Sequence, residues 1–286
     1  MPNLVSPSQT AFFAGKRGTD NVIVPQELLY AMERMKGRTG YMIIKIDLEK
    51  AYDRLEWGFV RNMLSSLNFH MDTVELILSC ISTTSVSFLF NGEQLGEFQP
   101  SRGLRQGDPL SPYIFILCME FLSSLINKKC DDGVWGRVKA SRNGPGFSHI
   151  FFADDLLFFA KATQENCEAI SKVLEEFCLV MGLKINCEKS KVFFSPVVSV
   201  EDRAELTHRL GICETNNLGN YLGFPLRHKS KNRNEFHFVI DKVQAKLAGW
   251  KTNCLSPGRL VLLKAAVTPI VEYYMQCCKL PARVSE

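Results

Sequence analysis

Two adjacent carboxylates, Asp154 and Asp155, stand between apolar runs in His149-Ile150-Phe151-Phe152-Ala153-Asp154-Asp155-Leu156-Leu157-Phe158-Phe159. Runs this rich in Phe, Ile and Leu read as strands buried in a sheet, which places the acidic pair at a tight hairpin turn. Asn-Gly or Asp-Gly is the usual chemistry at such a tip, and Asp-Asp lacks the freedom that glycine brings. Like charges in contact repel unless a cation offsets them, so a metal site stands beside the plainer reading of a solvated acidic turn. A third acid, Asp47, closes an apolar strand in the same manner, in Ile44-Lys45-Ile46-Asp47-Leu48-Glu49-Lys50. If that strand lies beside the hairpin, three carboxylates meet at the edge of one sheet. Hard oxygen ligands with open positions favour Mg²⁺. Two such ions about 3.5–4 Å apart hold both the attacking and the leaving oxygen of an in-line phosphoryl displacement. The chemistry implied is nucleotidyl transfer.

The elements that must position these acids can be read around them. Residues 26–36 have helical periodicity and end near Gly37 and Gly40, and Tyr41 to Asp47 is a β-rich run. Helices are expected at Trp57–Leu67 and Asp72–Ser82, and residues 85–98 alternate on both sides of Asn91-Gly92, a strong hairpin signal. A long helix is expected from Asp108-Pro109, with Asp108 as its cap and Leu110, Ile114, Leu117, Phe121, Leu122 and Leu125 on its apolar face. Thr163 can cap a helix whose apolar residues repeat at three and four positions until Gly182. Strand-like segments follow at 183–186 and 192–194, and the last forty residues read as helical with breaks at Pro257-Gly258 and Pro269. The order predicts an α+β fold, an antiparallel sheet with helices on one face.

Composition bounds the rest. The chain has 286 residues, 46% of them hydrophobic, with no run long enough to cross a bilayer and no signal peptide in its first residues. Its ten cysteines include no Cys-x-x-Cys and no paired histidine spacing, which argues against zinc and for reduced thiols in an intracellular compartment, nucleus or cytoplasm undecided. The net charge is +4, but residues 227–264 hold nine Lys or Arg against two acids, a local +7. Trp250, Phe236 and Phe238 lie among these cations, a mixture that suits a phosphate backbone and its bases as well as a plain solvated helix face.

Further blocks accompany the acids: Ala51-Tyr52-Asp53 after Asp47, then Gly103-Leu104-Arg105-Gln106-Gly107-Asp108-Pro109-Leu110-Ser111-Pro112, then Phe152-Ala153-Asp154-Asp155, then 182–195 and Tyr221-Leu222-Gly223-Phe224-Pro225-Leu226. In this order and spacing they resemble the reverse transcriptases of LINE-type (non-LTR) retrotransposons, especially those of plants, over nearly the whole chain. The resemblance implies a right-hand polymerase: partial fingers at 1–40, a palm at 41–226 with a fingers insertion near 84–105, and a helical thumb-like region at 227–286. It implies that Asp47, Asp154 and Asp155 hold two Mg²⁺ ions, with Mn²⁺ as a substitute, and that Asp53 is a local hydrogen-bonding acid.

By the same resemblance Tyr52 stacks under the incoming sugar and excludes a 2′-hydroxyl. Gln106, Arg105 and Ala153 line the site for the nucleotide or template, and Gly107 lets the backbone come close. Lys189 is implied as proton donor to the leaving pyrophosphate, with Lys191 as its competitor, and Tyr221, Leu222 and Gly223 as the primer grip. The implied partners are an RNA template, a DNA primer and deoxynucleoside triphosphates, with no membrane and no oligomeric state indicated. Met1 is expected to fall inside the fingers, leaving Lys16 or Arg17 as partial substitutes for a lost triphosphate-binding cation. An inactive relic that binds nucleic acid without polymerising is the alternative reading; a group II intron maturase agrees less well with the Tyr-Leu-Gly-Phe-Pro block.

Overall fold

The structure, a computed structural model, describes residues 4–12, 15–16, 18–226, 236–248 and 257–277. Helix α1 (Gly18–Arg34) precedes strand β1 (Tyr41–Ile46), and α2 (Ala51–Arg54), α3 (Trp57–Ser66) and α4 (Met71–Ser82) follow. A small hairpin, β2 (Leu89–Phe90) with β3 (Glu93–Gln94), stands before the long α5 (Ser111–Asp131). The pair β4 (Val138–Lys139) and β5 (Gly146–Phe147) leads into β6 (His149–Phe152), β7 (Asp155–Lys161), α6 (Gln164–Met181) and β8 (Lys191–Phe194). Then come α7 (Val200–Leu210), β9 (Cys213–Glu214), the hairpin of β10 (Asn220–Tyr221) and β11 (Phe224–Pro225), α8 (His237–Ala248) and α9 (Pro257–Cys277).

The central sheet has the order β6-β7-β1-β8-β9, antiparallel except for the β8–β9 pair. Met42, Ile44 and Ile46 of β1, with Phe158 of β7 and Phe194 of β8, turn to one face and pack with residues of α3, α5 and α6 such as Val60, Leu122 and Phe177. Ile43, Leu157, Phe159 and Phe193 turn to the other face, against Leu28, Leu29 and Met32 of α1 and Tyr221 of β10. Because both faces are covered, β1 and β7 are continuously apolar instead of alternating. The expected helices on one face are α5 and α6; the structure adds α1 on the opposite face. Among the described residues no helix is long and apolar enough to cross a membrane.

Several boundaries move, each for a physical reason. Helix α1 starts at Gly18 and runs through Pro25, because Val22, Pro25, Leu28, Leu29 and Met32 bury one stripe across it. That burial outweighs the roughly 3 kcal/mol an interior proline costs. Pro269 likewise lies inside α9 and does not break it. Helix α5 begins at Ser111 with Pro112 in its first turn, since Asp108 Oδ1 accepts from Leu110 N at 2.8 Å and holds a turn ahead of the helix. The expected strand at 183–186 reduces to one bridge, Leu48 to Ile185. Helix α6 keeps its expected ends: Thr163 Oγ1 accepts from Asn166 N at 3.3 Å, and Gly182 closes it at φ 76°.

His149 is buried between Ser123 Oγ, 2.8 Å from its Nε2, and Ser148 Oγ, 3.0 Å from its Nδ1. Burial first, and the Arg137 charge second, pull its pKa down to about 3. The folded chain therefore refuses a proton that the unfolded chain accepts near pH 6.5. Stability should fall as pH drops below about 6.5, by at most about 1.4 kcal/mol per pH unit, and the loss should level off near the folded value. Urea midpoints at about pH 7 and pH 5, compared with those of His149→Gln, check this; an equal shift in the variant would place the acid sensitivity elsewhere.

Candidate active site

The register pairs Phe152 with Asp155, so the two turn residues of the β6–β7 hairpin are Ala153 and Asp154, and Asp155 is already the first residue of β7. Ala153 occupies the left-handed region at φ 54°, where glycine would be the easy choice. What fixes it comes from the start of the chain. Gln9, fully buried, accepts from Ala153 N at 3.2 Å and from Ala11 N at 3.1 Å through Oε1. Phe151 N donates to Ser8 O at 2.8 Å, and Asn21 Nδ2 donates to Phe151 O at 2.8 Å. Gln9 and Asn21 were not among the expected site residues.

Asp47 and Asp155 come together through register. Ile46 pairs with Leu156, so the next residues outward, Asp47 and Asp155, stand at the same end of neighbouring strands. Alternation puts both on the face that carries Ile43 and Leu157. The carboxyl of Asp155 is raised above the usual range, first by burial, then by the charge of Asp154, with Asp47 adding to it and Lys45 opposing. Lys45 shares that face, two residues before Asp47, and its Nζ donates to Asn220 O at 2.6 Å. A lone cation inside the run Tyr41-Met42-Ile43-Ile44-Lys45-Ile46 was the sequence signal for it. The backbone of Asp47 is fastened by the 184–190 loop: its N donates to Ser190 Oγ at 3.1 Å and its O accepts from Asn186 N at 2.8 Å.

Among the described residues no three Asp, Glu, His or Cys side chains close around a common point tightly enough to hold a metal by themselves. A Mg²⁺ that works on nucleotides is usually held by one or two carboxylates and completed by substrate phosphates and water, so an open set of acids fits that use. The repulsion felt at Asp155 is also what a divalent cation would offset. Asp47, Asp154 and Asp155 are thus the groups able to hold one.

Tyr52 follows on the short α2, which Lys50 enters in a left-handed conformation at φ 46°. Its ring stacks on Phe115 of α5, centroids 4.7 Å apart and 14° from parallel. Burial, and next the charge of Asp154, raise its hydroxyl pKa, which puts Tyr52 on the same side of the fold as the acids. The 103–107 loop docks onto this helix. Leu104 N donates to Tyr52 O at 2.7 Å, Gly103 N to Leu55 O at 2.8 Å, and Trp57 Nε1 to Gly103 O at 2.7 Å. A Cβ on Gly103 would lie 2.7 Å from the Asp53 carbonyl oxygen, at a φ of 88°. At Gly107 no group of the chain lies within 4 Å of where a Cβ would stand, and its φ of 88° calls for glycine.

Arg105 and Gln106 are exposed and line a cleft of about 720 Å³ with Asp53, Trp57, Val86, Phe98 and Arg102. This cleft does not include the three acids, which stand at the ends of β1 and β7 and in the adjoining turn. What sets the acids apart is their mutual charge, seen in the raised carboxyl of Asp155, and not an enclosed volume.

Lys189 is exposed in the 186–190 loop, its backbone N donating to Asn186 Oδ1 at 3.2 Å, next to the Ser190 that holds Asp47. Lys191, the first residue of β8, donates from Nζ back to Glu188 O at 2.9 Å. Tyr221 is buried, its hydroxyl donating to Asp155 O at 3.5 Å, while Leu222 and Gly223 form the tip of the β10–β11 hairpin. Lys16 Nζ donates to Ser6 O and Gln9 O, both at 2.6 Å, and so braces the N-terminal segment; Arg17 lies outside the described residues. Trp250 and much of the basic 227–264 stretch also lie outside them. Phe236 and Phe238 do not form a stacking platform: Phe236 is buried, and Phe238 packs edge-on to Tyr274 at 5.0 Å.

Comparison with known proteins shows what the chain is similar to. The sequence model of a family described as reverse transcriptase (RNA-dependent DNA polymerase) matches residues 1–226. An uncharacterized mitochondrial protein of Arabidopsis thaliana is 52% identical over 68 residues, 24% of this chain and 56% of that protein. The retrovirus-related Pol polyprotein from the type-2 retrotransposable element R2DM of Drosophila melanogaster is 27% identical over 183 residues, 64% of this chain and 16% of the polyprotein. The chain thus spans little more than half, or much less, of these relatives' lengths. Among solved structures, Candida tropicalis telomerase with a fragment of telomeric RNA covers 93% of this chain and 42% of its own at 13% identity and a TM-score of 0.49.

Proposed function

Because the chain belongs to the reverse transcriptase family, we propose that it extends a DNA primer on an RNA template, as the polymerase domain of a LINE-type retrotransposon. The observation that carries this reading is the raised carboxyl of Asp155 between the charges of Asp154 and Asp47 at adjoining strand ends. Reverse transcriptases depend on a divalent metal; we assign it as a pair of Mg²⁺ ions, with Mn²⁺ as substitute, held by Asp47, Asp154 and Asp155. When bound, such ions supply charge stabilisation for the attacking and leaving oxygens of an in-line displacement. The primer 3′-oxygen bonds to the α-phosphorus of a deoxynucleoside triphosphate, the bond to pyrophosphate breaks, and the 3′-hydroxyl proton passes to water.

The remaining roles belong to the chain's own side chains. Tyr52, braced flat by Phe115, lies under the sugar of the incoming nucleotide and leaves no room for a 2′-hydroxyl. Arg105 and Gln106 reach the nucleotide or template from the docked loop, and Ala153 contributes backbone to the floor. Lys189 gives a proton to the departing pyrophosphate; Lys191, engaged with Glu188 O, is the weaker candidate. Tyr221, Leu222 and Gly223 grip the primer end. In domain terms, residues 1–40 are partial fingers, 41–226 palm with a fingers insertion near 84–105, and 227–286 a thumb-like helical region.

Replacing Tyr52 with Val tests the reading. The preference for deoxynucleotides over ribonucleotides should fall by about tenfold or more, equivalent to at least about 1.4 kcal/mol between the two transition states. Single-nucleotide addition from dNTP and rNTP pools measures it, and unchanged discrimination would move the gate to another residue.

A further inference from the structure

The tip of the β10–β11 hairpin holds a backbone shape that its residues do not favour. Tyr221 pairs with Phe224, which leaves Leu222 and Gly223 as the two turn residues, at φ 51° and 76°. Two left-handed residues in succession are what Asn-Gly supplies at a hairpin tip, and leucine in the first place is strained. Such strain persists where the surroundings over-determine it. Here α9 does so. Tyr273 donates its hydroxyl to Leu222 O at 2.7 Å, and Tyr274 donates to Gly223 O at 3.1 Å. Lys242 of α8 in turn donates to the Tyr274 hydroxyl at 2.6 Å.

The anchorage continues on both sides. The Tyr274 ring packs with Phe224 at 5.4 Å, in a small core that also holds Val22, Phe236 and Val239. Burial pushes the Tyr273 hydroxyl pKa up to about 12, so it stays a donor. Inward from the tip, β10 meets the strands of the acids twice, through Tyr221 to Asp155 O at 3.5 Å and through Asn220 O to Lys45 at 2.6 Å. A chain of contacts therefore runs from two C-terminal helices, across a strained turn, to the strand that starts with Asp155.

We propose that Tyr273 and Tyr274 are positioning residues that hold the Leu222-Gly223 tip, and with it a DNA primer end, at a fixed place relative to Asp155. The proposal rests on reading Tyr221 to Gly223 as the primer contact. It assigns to the hydroxyls a task that the rings alone cannot perform, because only the hydroxyls reach the two carbonyls.

The test is the double variant Tyr273→Phe/Tyr274→Phe, which keeps both rings, beside Tyr30→Phe, an exposed tyrosine of α1, as control. Amide exchange at residues 221–226 should quicken in the double variant but not in the control. Its KM for a DNA primer annealed to RNA should rise by about tenfold, while the KM for deoxynucleotides holds. Restoring either tyrosine should recover part of the loss. Unchanged exchange, or quicker exchange with an unchanged primer KM, would overturn the proposal while leaving the polymerase reading in place. A wild-type chain that neither binds nor extends the primed hybrid would instead remove the primer contact itself, and the proposal with it.

Discussion

Asp154→Asn is expected to abolish primer extension while the melting temperature stays level or rises. On the proposed role of Asp154 in holding a metal, removing its charge forfeits several kcal/mol of the barrier reduction, and each 1.36 kcal/mol is tenfold, so the rate should fall on the order of 10³-fold. The stability arm follows from electrostatics. Asp154 adds to the charge that raises the half-buried Asp155, and neutralising it relieves a repulsion. Asp154 stands second in the turn, outside the strand pairing, so asparagine can replace it without breaking the ladder. Thermal melting and single-turnover extension on one preparation separate the two effects. A variant that lost its fold and its activity together would make Asp154 a structural residue.

Gly103→Ala should be among the most destabilising single changes in this fold. Alanine at φ 88° costs about 1 kcal/mol or more. The overlap of its methyl with the Asp53 carbonyl at 2.7 Å adds roughly 1–3 kcal/mol, since that carbonyl is backbone and cannot swing aside. A loss of about 2–4 kcal/mol is expected, and the KM for deoxynucleotides should rise because Arg105 and Gln106 ride on the displaced loop. Gly107→Ala provides the contrast: its φ is the same but its surroundings are open, so only the conformational cost applies. Urea midpoints that were equal for the two variants would mean that the 103–107 loop is not held against α2 as described.

The elements carrying the acids were legible because a sheet covered on both faces writes itself as unbroken apolar runs, and β1 and β7 are such runs. The meeting of Asp47 with the hairpin needed only the assumption that these strands are neighbours, and the pairing of Ile46 with Leu156 supplies it. What stayed hidden was set by distance along the chain. Placing the turn at Ala153-Asp154 depends on Gln9, 144 positions away, and nothing local to the hairpin announces it. The first turns of helix α1 hid behind Pro25, whose cost is offset by a buried stripe visible only once the sheet is in place.

Helix α7 escaped because it buries one residue, Leu206, and therefore shows little apolar period. Its ends are set by local bonds. Ser199 Oγ accepts from Asp202 N at 3.1 Å, and Gly211 closes the helix at φ 64°. The aromatics at 236 and 238 were legible as residues but not in role, since cations beside phenylalanines look alike whether the rings stack on bases or, as here, pack against Phe224 and Tyr274.

The central claim is that Asp47, Asp154 and Asp155 form the centre of an RNA-copying polymerase, and the most direct measurement is extension of a DNA primer annealed to RNA by the purified chain with Mg²⁺ and deoxynucleotides. Extension that follows the template sequence and stops when Mg²⁺ is chelated is the predicted result. A chain that holds the primed hybrid, with binding that weakens as salt rises, yet adds no nucleotide under any divalent cation would contradict it.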